Sequence, residues 1–168
     1  MDRRSLIAGA ALLGASALAT PGPVRAQGTG ESLVDRFAAT LSAHDIPAFA
    51  ALFAEDYVNH QVSAATGPPP ANGKSPKRTT VDLFAARLAG IPDLKVAVET
   101  SVITVDKVAA SFVYTGTHGG TYFGIAPTGR PLRFTSCDIF RVQNGLLAEH
   151  WGMGDIAGIL AQLRAPAT

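Results

Sequence analysis

From Leu94 to Met153 the spacing of apolar residues drops from about four to two, and this change decides the fold class. The runs Leu94–Val105, Lys107–Thr117, Pro131–Val142 and Leu146–Met153 read as strands, each separated from the next by turn chemistry. Asp106-Lys107 joins the first two, and Pro127-Thr128-Gly129-Arg130 precedes the third. Gln143-Asn144-Gly145 joins the last two and is a strong hairpin signal, because Asn-Gly accepts the positive φ angles of a tight turn. Gly116–Gly124 is glycine-rich and is expected to be bulged. Consecutive strands joined in this way form a meandering antiparallel sheet.

The residues before this run have helical spacing. Glu31–Ala43 puts Leu33, Val34, Phe37, Ala38 and Leu41 on one stripe. Pro47 suits the first turn of a second short helix, Pro47–Ala54, with Phe49, Leu52 and Phe53 inward. Glu55–Asn72 reads as a long connection and, at that length, as a lid. Ser75 and Pro76 form a cap and first turn for a third helix reaching Leu88, with Leu83, Phe84 and Leu88 buried. Asp155 caps a terminal helix that ends near Arg164. Helices segregated from a sheet give an α+β fold. A curved antiparallel sheet closed by helices makes a cone whose apolar interior suits a small hydrophobic molecule.

Residues 1–26 have the layout of an export leader, residues 27–30 are a linker, and residues 31–168 are one domain. Arg3 and Arg4 precede an apolar run from Leu6 to Ala19, and Val24-Arg25-Ala26 offers a cleavage site. The paired arginines before Ser5-Leu6-Ile7 resemble a twin-arginine signal, so an exported, periplasmic or secreted protein is expected. The run is shorter than the roughly 20 residues that span a bilayer, which argues against a stable membrane anchor. The leader holds three of the 14 Lys and Arg side chains and one of the 13 acidic ones, so the remainder carries a net charge of −1. A nucleic-acid partner therefore has no electrostatic support. Cys137 is the single cysteine, which excludes an internal disulfide.

Alternation in Leu132–Val142 puts Leu132, Phe134, Ser136, Asp138 and Phe140 on one face and both arginines, Arg133 and Arg141, on the other. The aromatic face is expected inside, which makes Asp138 a carboxylate between two phenylalanines and a candidate base. In the same way His118 is in phase with Phe112 and Tyr114, and His150 with Leu146 and Ala148. Facing inward, the two imidazoles and Asp138 would converge as an acid/base unit. Tyr57, Asn59 and His60 sit at the mouth of the lid, where Asn59 or Tyr57 could donate to an oxyanion. Tyr114, Phe134 and Phe140 would supply pocket wall. Trp151, in the opposite phase to His150, is expected on the outer face. No nucleophile elbow, phosphate loop, dinucleotide fingerprint or tight metal-ligand spacing is present in the sequence.

Three ordered stretches carry a resemblance: Tyr57-Val58-Asn59-His60, then Gly116-Thr117-His118 through Arg130, then Asp138-Ile139-Phe140-Arg141 through Glu149-His150-Trp151. Together with Asp155–Leu163 they are similar to the SnoaL-like polyketide cyclase, or ester cyclase, family. The resemblance implies the cone-shaped barrel of the nuclear transport factor two-like superfamily. It also implies acid–base ring closure without metal or cofactor, and a homodimer through the outer sheet face. The cyclases place their acid/base aspartate where this chain has Gly152, and Asp138 stands where some of them have histidine. A non-catalytic carrier of small molecules and a hydrolase on the same scaffold are the alternative readings.

Overall fold

The computed structural model describes residues 32–61 and 73–165. Its elements run α1 (Leu33–Ser42), α2 (Ile46–Ala50), β1 (Phe53–Asn59), α3 (Pro76–Gly90), β2 (Lys95–Ile103), β3 (Lys107–Thr117), β4 (Pro131–Gln143), β5 (Leu146–Gly154) and α4 (Ile156–Arg164). The export leader and residues 62–72 of the expected lid lie outside the described residues.

Each helix starts where its capping chemistry allows. The Ser32 hydroxyl accepts from the Asp35 amide while the Asp35 carboxylate accepts from the Ser32 amide, a capping box worth about 1 kcal/mol. Ser75 caps α3 with Pro76 in its first turn, and Asp155 caps α4 through the Gly158 amide. Val34, Phe37, Ala38 and Leu41 are buried, as the α1 stripe requires. Phe37 is the aromatic centre of the core, with ring centroids of Phe49 and Phe112 at 5.0 and 4.9 Å.

The α+β architecture is as expected. Among the described residues the strands form one sheet of order β1-β5-β4-β3-β2. β2, β3, β4 and β5 pair antiparallel in chain order, and the β4–β5 turn places Asn144 at φ 52° and Gly145 at φ 73°.

Two local expectations are corrected. The second helix stops at Ala50, and Phe53–Asn59 is a strand running parallel to β5, which makes the sheet mixed. Its register shifts between Phe53 and Val58, and only Phe53 and Tyr57 are buried along it, a spacing of four that mimics a helical period. The glycine-rich stretch after β3 is a loop and not a bulged strand. The amides of Gly119 and Gly120 donate to the Gly90 carbonyl and fasten this loop to the end of α3.

Candidate active site

β1, β4 and β5 bring three polar side chains into one line. Pairing sets Asn59 beside His150 and Phe140 opposite it, while Asp138 lies opposite Gly152. Asp138 and His150 are each 7% exposed, and His150 Nε2 is 2.7 Å from Asp138 Oδ1. The Ser136 hydroxyl donates to Asp138 Oδ2 at 2.5 Å, and the Tyr114 hydroxyl lies 3.4 Å from Ser136 Oγ. The Phe140 ring stacks on the His150 ring at 4.9 Å.

The tautomer of His150 follows from its other neighbour. Asn59 Oδ1 accepts the Gln61 amide at 2.9 Å, and a backbone N–H can only donate, so this atom is the amide oxygen. His150 Nδ1, 3.0 Å from the same oxygen, must therefore carry hydrogen. The Nε2···Oδ1 contact then holds one proton between Asp138 and His150, on either partner, and the pair is neutral as a unit. That arrangement is an acid/base device with a fixed orientation.

Gly152 is what leaves room for it. A Cβ at this position would sit 2.1 Å from Asp138 Oδ1 and 2.4 Å from His150 Nε2. The carboxylate reaches the histidine from the neighbouring strand, across the space that a side chain at position 152 would fill.

Asp138, His150, Tyr57, Asn59, Tyr114 and Phe140 line one cavity of about 70 Å³. This is smaller than the ~150 Å³ cavity that holds benzene, so it takes a functional group, with the rest of a ligand towards the mouth. The Tyr57 hydroxyl is buried without a hydrogen-bond partner among the described residues. Burial pushes this phenol well above its usual range, against a smaller lowering by the nearby Thr80 hydroxyl. Burial also raises Tyr114, to about 12. Both phenols stay protonated at neutral pH and remain hydrogen-bond donors.

Three expected site residues lie elsewhere. His118 is fully buried but turns into the loop after β3, where its Nδ1 accepts the Thr128 amide at 3.2 Å; it pins that loop and is not part of the cavity lining. His60 is on the outer face, stacked on Trp151 at 4.5 Å and bonded to Glu149 at 2.8 Å. Phe134 stands behind the wall, stacked on the Tyr114 ring at 4.9 Å. Asn59 does line the cavity, and its oxygen orients His150.

The sequence reading missed Ser136 as the partner of Asp138, and it missed Arg87. Arg87 is 7% exposed and lines the cavity from α3. Its guanidinium lies over Phe84 at 4.7 Å and Tyr114 at 4.9 Å. The available signal was its place three residues after Phe84 and seven after Thr80, on the inward face of α3.

Comparison with known proteins bears on the family and the fold. The family model for SnoaL-like polyketide cyclase matches residues 31–163. IdmH from Streptomyces antibioticus, provisionally assigned as a polyketide cyclase, is 30% identical; the match covers 78% of this chain and 95% of that one, with TM-score 0.66. TsrD from Streptomyces laurentii is 25% identical over 80% of this chain and 93% of that one, also at 0.66. AclR from Streptomyces galilaeus, provisionally assigned as a hydroxylase, is 24% identical over 81% and 82% at 0.66, and shows the fold alone. Nothing among curated protein sequences matches this chain. A family model that spans most of the chain, over a fold shared with solved members, places this protein in the SnoaL-like polyketide cyclase family.

Proposed function

We propose that this protein is a cofactor-free acid–base enzyme acting on a small hydrophobic carbonyl compound, of the cyclase or isomerase kind. The observation that carries the reading is the 2.7 Å contact between Asp138 Oδ1 and His150 Nε2 inside the cavity, with His150 Nδ1 turned to the Asn59 oxygen. With the proton on His150, the Asp138 carboxylate can take a proton from carbon next to a substrate carbonyl. The electron pair moves onto the carbonyl oxygen, where the Tyr57 hydroxyl donates to the enolate. Reprotonation at another carbon isomerises the substrate, and attack of the enolate on a second carbonyl closes a ring. His150 is held by Asn59 and returns the proton to the product.

Proton exchange tests the first step without requiring the natural substrate. A panel of aryl ketones and β-keto esters is incubated with enzyme in D2O, and loss of the proton next to the carbonyl is followed by NMR. Wild type is expected to accelerate exchange for at least one compound, and Asp138→Asn to exchange it no faster than buffer. If the two proteins behave alike across the panel, the assignment fails.

Localisation and assembly extend the same proposal. The layout of residues 1–26 supports export, and the exposed Ile139 and Met153 on the outer face support a homodimer. Native mass spectrometry of protein isolated from its producing cells is expected to show a chain starting at Gln27, at twice the monomer mass. A full 168-residue chain overturns export, and a monomer at micromolar concentration overturns the dimer.

A further inference from the structure

The charges that face the cavity do not balance. Among the described residues its lining contains one carboxylate, Asp138, one imidazole, His150, and one guanidinium, Arg87. Asp138 and His150 share a proton and are neutral together, as the Asn59 oxygen requires. Arg87 cannot lose its proton, so the lining carries one net positive charge.

That cation is buried with little compensation. Its Nε donates to the Tyr122 hydroxyl at 3.1 Å, and its plane lies among the Phe84, Tyr114 and Phe134 rings at 4.7, 4.9 and 5.4 Å. Ring faces stabilise the charge in part. Among the described residues, however, neither terminal nitrogen has a hydrogen-bond partner and no carboxylate lies within ion-pair distance. A guanidinium has a planar fork of donors that matches a carboxylate, and this one is held at the cavity wall.

Building on the acid–base reading above, we propose that the substrate is a carboxylic acid anion, and that Arg87 receives its carboxylate while Asp138 and His150 act on the adjoining carbon skeleton. A methyl ester would leave the cation uncompensated, whereas an acid neutralises the cavity. The incoming anion does not meet a second free negative charge, because the proton shared with His150 already balances Asp138. Arg87 is thus a specificity-determining residue.

Binding of matched probes tests this without any turnover. Phenylacetate, methyl phenylacetate and phenylacetamide are titrated into the protein and followed by NMR. The acid is expected to bind roughly 10- to 100-fold more tightly than either neutral probe, the range for hydrogen bonds to a charged group. Arg87→Met is expected to erase the preference and Arg87→Lys to keep part of it, because lysine retains the charge without the fork. A crystal of the phenylacetate complex should place the carboxylate on the Arg87 terminal nitrogens, and it decides the matter if Arg87→Met does not fold. Equal binding of acid and ester, no saturable binding of the acid at millimolar concentration, a preference surviving in Arg87→Met, or a carboxylate seated away from Arg87 each overturns the proposal. Asp138→Asn is expected to keep the acid preference. Failure of the proton-exchange test therefore leaves carboxylate binding by Arg87 standing, and failure here leaves the acid–base role of Asp138 standing.

Discussion

Asp138→Asn is expected to lower turnover by roughly 10²- to 10⁴-fold, the contribution of a positioned general base, while the protein melts within a few degrees of wild type. The two halves of this expectation have separate causes. Asparagine has the same shape, and its oxygen can accept the Ser136 hydroxyl as the carboxylate does now. Its NH2 can donate to His150 Nε2, because Nδ1 already carries the hydrogen that Asn59 accepts. The hydrogen-bonded line Ser136–residue 138–His150–Asn59 therefore stays satisfied, and only the capacity to accept a proton is lost. Asp138→Ala behaves differently, since it leaves His150 Nε2 unpaired in a buried site at a cost of about 1–3 kcal/mol. Steady-state rates on any compound that wild type deprotonates, together with thermal melts of the three proteins, check both halves. An asparagine variant that retains turnover removes Asp138 from the chemistry, and one that fails to fold makes its role structural.

The parts of this site that were legible in the sequence are those that period-two alternation controls. β4 has no bulge through its inner face in its pairing with β3, so counting from Leu132 placed Phe134, Asp138 and Phe140 inward correctly. The Asn144-Gly145 turn fixed the β4–β5 hairpin, and with it Asp138 opposite Gly152. His150 survived an irregularity it could have lost. The register shifts between Arg141 and Val142, leaving Ala148 as the extra residue, and both Leu147 and Ala148 are buried. β1 was lost to its burial pattern: only Phe53 and Tyr57 are buried along it, four apart, and Glu55 and Asp56 between them are exposed and read as loop. With the strand unseen, Asn59 could not be placed beside His150, and it was read as a donor to an oxyanion instead of as the acceptor that orients the imidazole. His118 failed for another reason. It lies one residue beyond the end of β3, where the loop and not the pleat sets the side chain. Arg87 was hidden by its charge, because a helix stripe is read from apolar residues and a buried guanidinium among rings interrupts it.

Gly152→Ala is expected to reduce turnover nearly as far as Asp138→Asn, although it removes no functional group. The new Cβ would overlap Asp138 Oδ1 at 2.1 Å and His150 Nε2 at 2.4 Å. Asp138 and Gly152 are paired across the β4–β5 ladder, and β4 is paired with β3 on its other side, so the backbone has little freedom to clear both atoms. The side chains must separate, and the 2.7 Å contact that shares the proton breaks. Overpacking of this kind costs typically about 1–3 kcal/mol, so the variant should fold with a lowered melting temperature. The decisive comparison uses the resemblance to the cyclases, whose acid/base aspartate stands at the position of Gly152. If the space between the strands needs one carboxylate and is indifferent to which strand supplies it, Asp138→Ala combined with Gly152→Asp should exceed the turnover of Asp138→Ala alone. Gly152→Asp by itself should be worse than wild type, because two carboxylates would then crowd one imidazole. Full activity in Gly152→Ala would mean that the Asp138–His150 contact is not what the reaction uses. A double variant no better than Asp138→Ala would mean that the strand of origin matters, and that this chain's carboxylate has a geometry of its own.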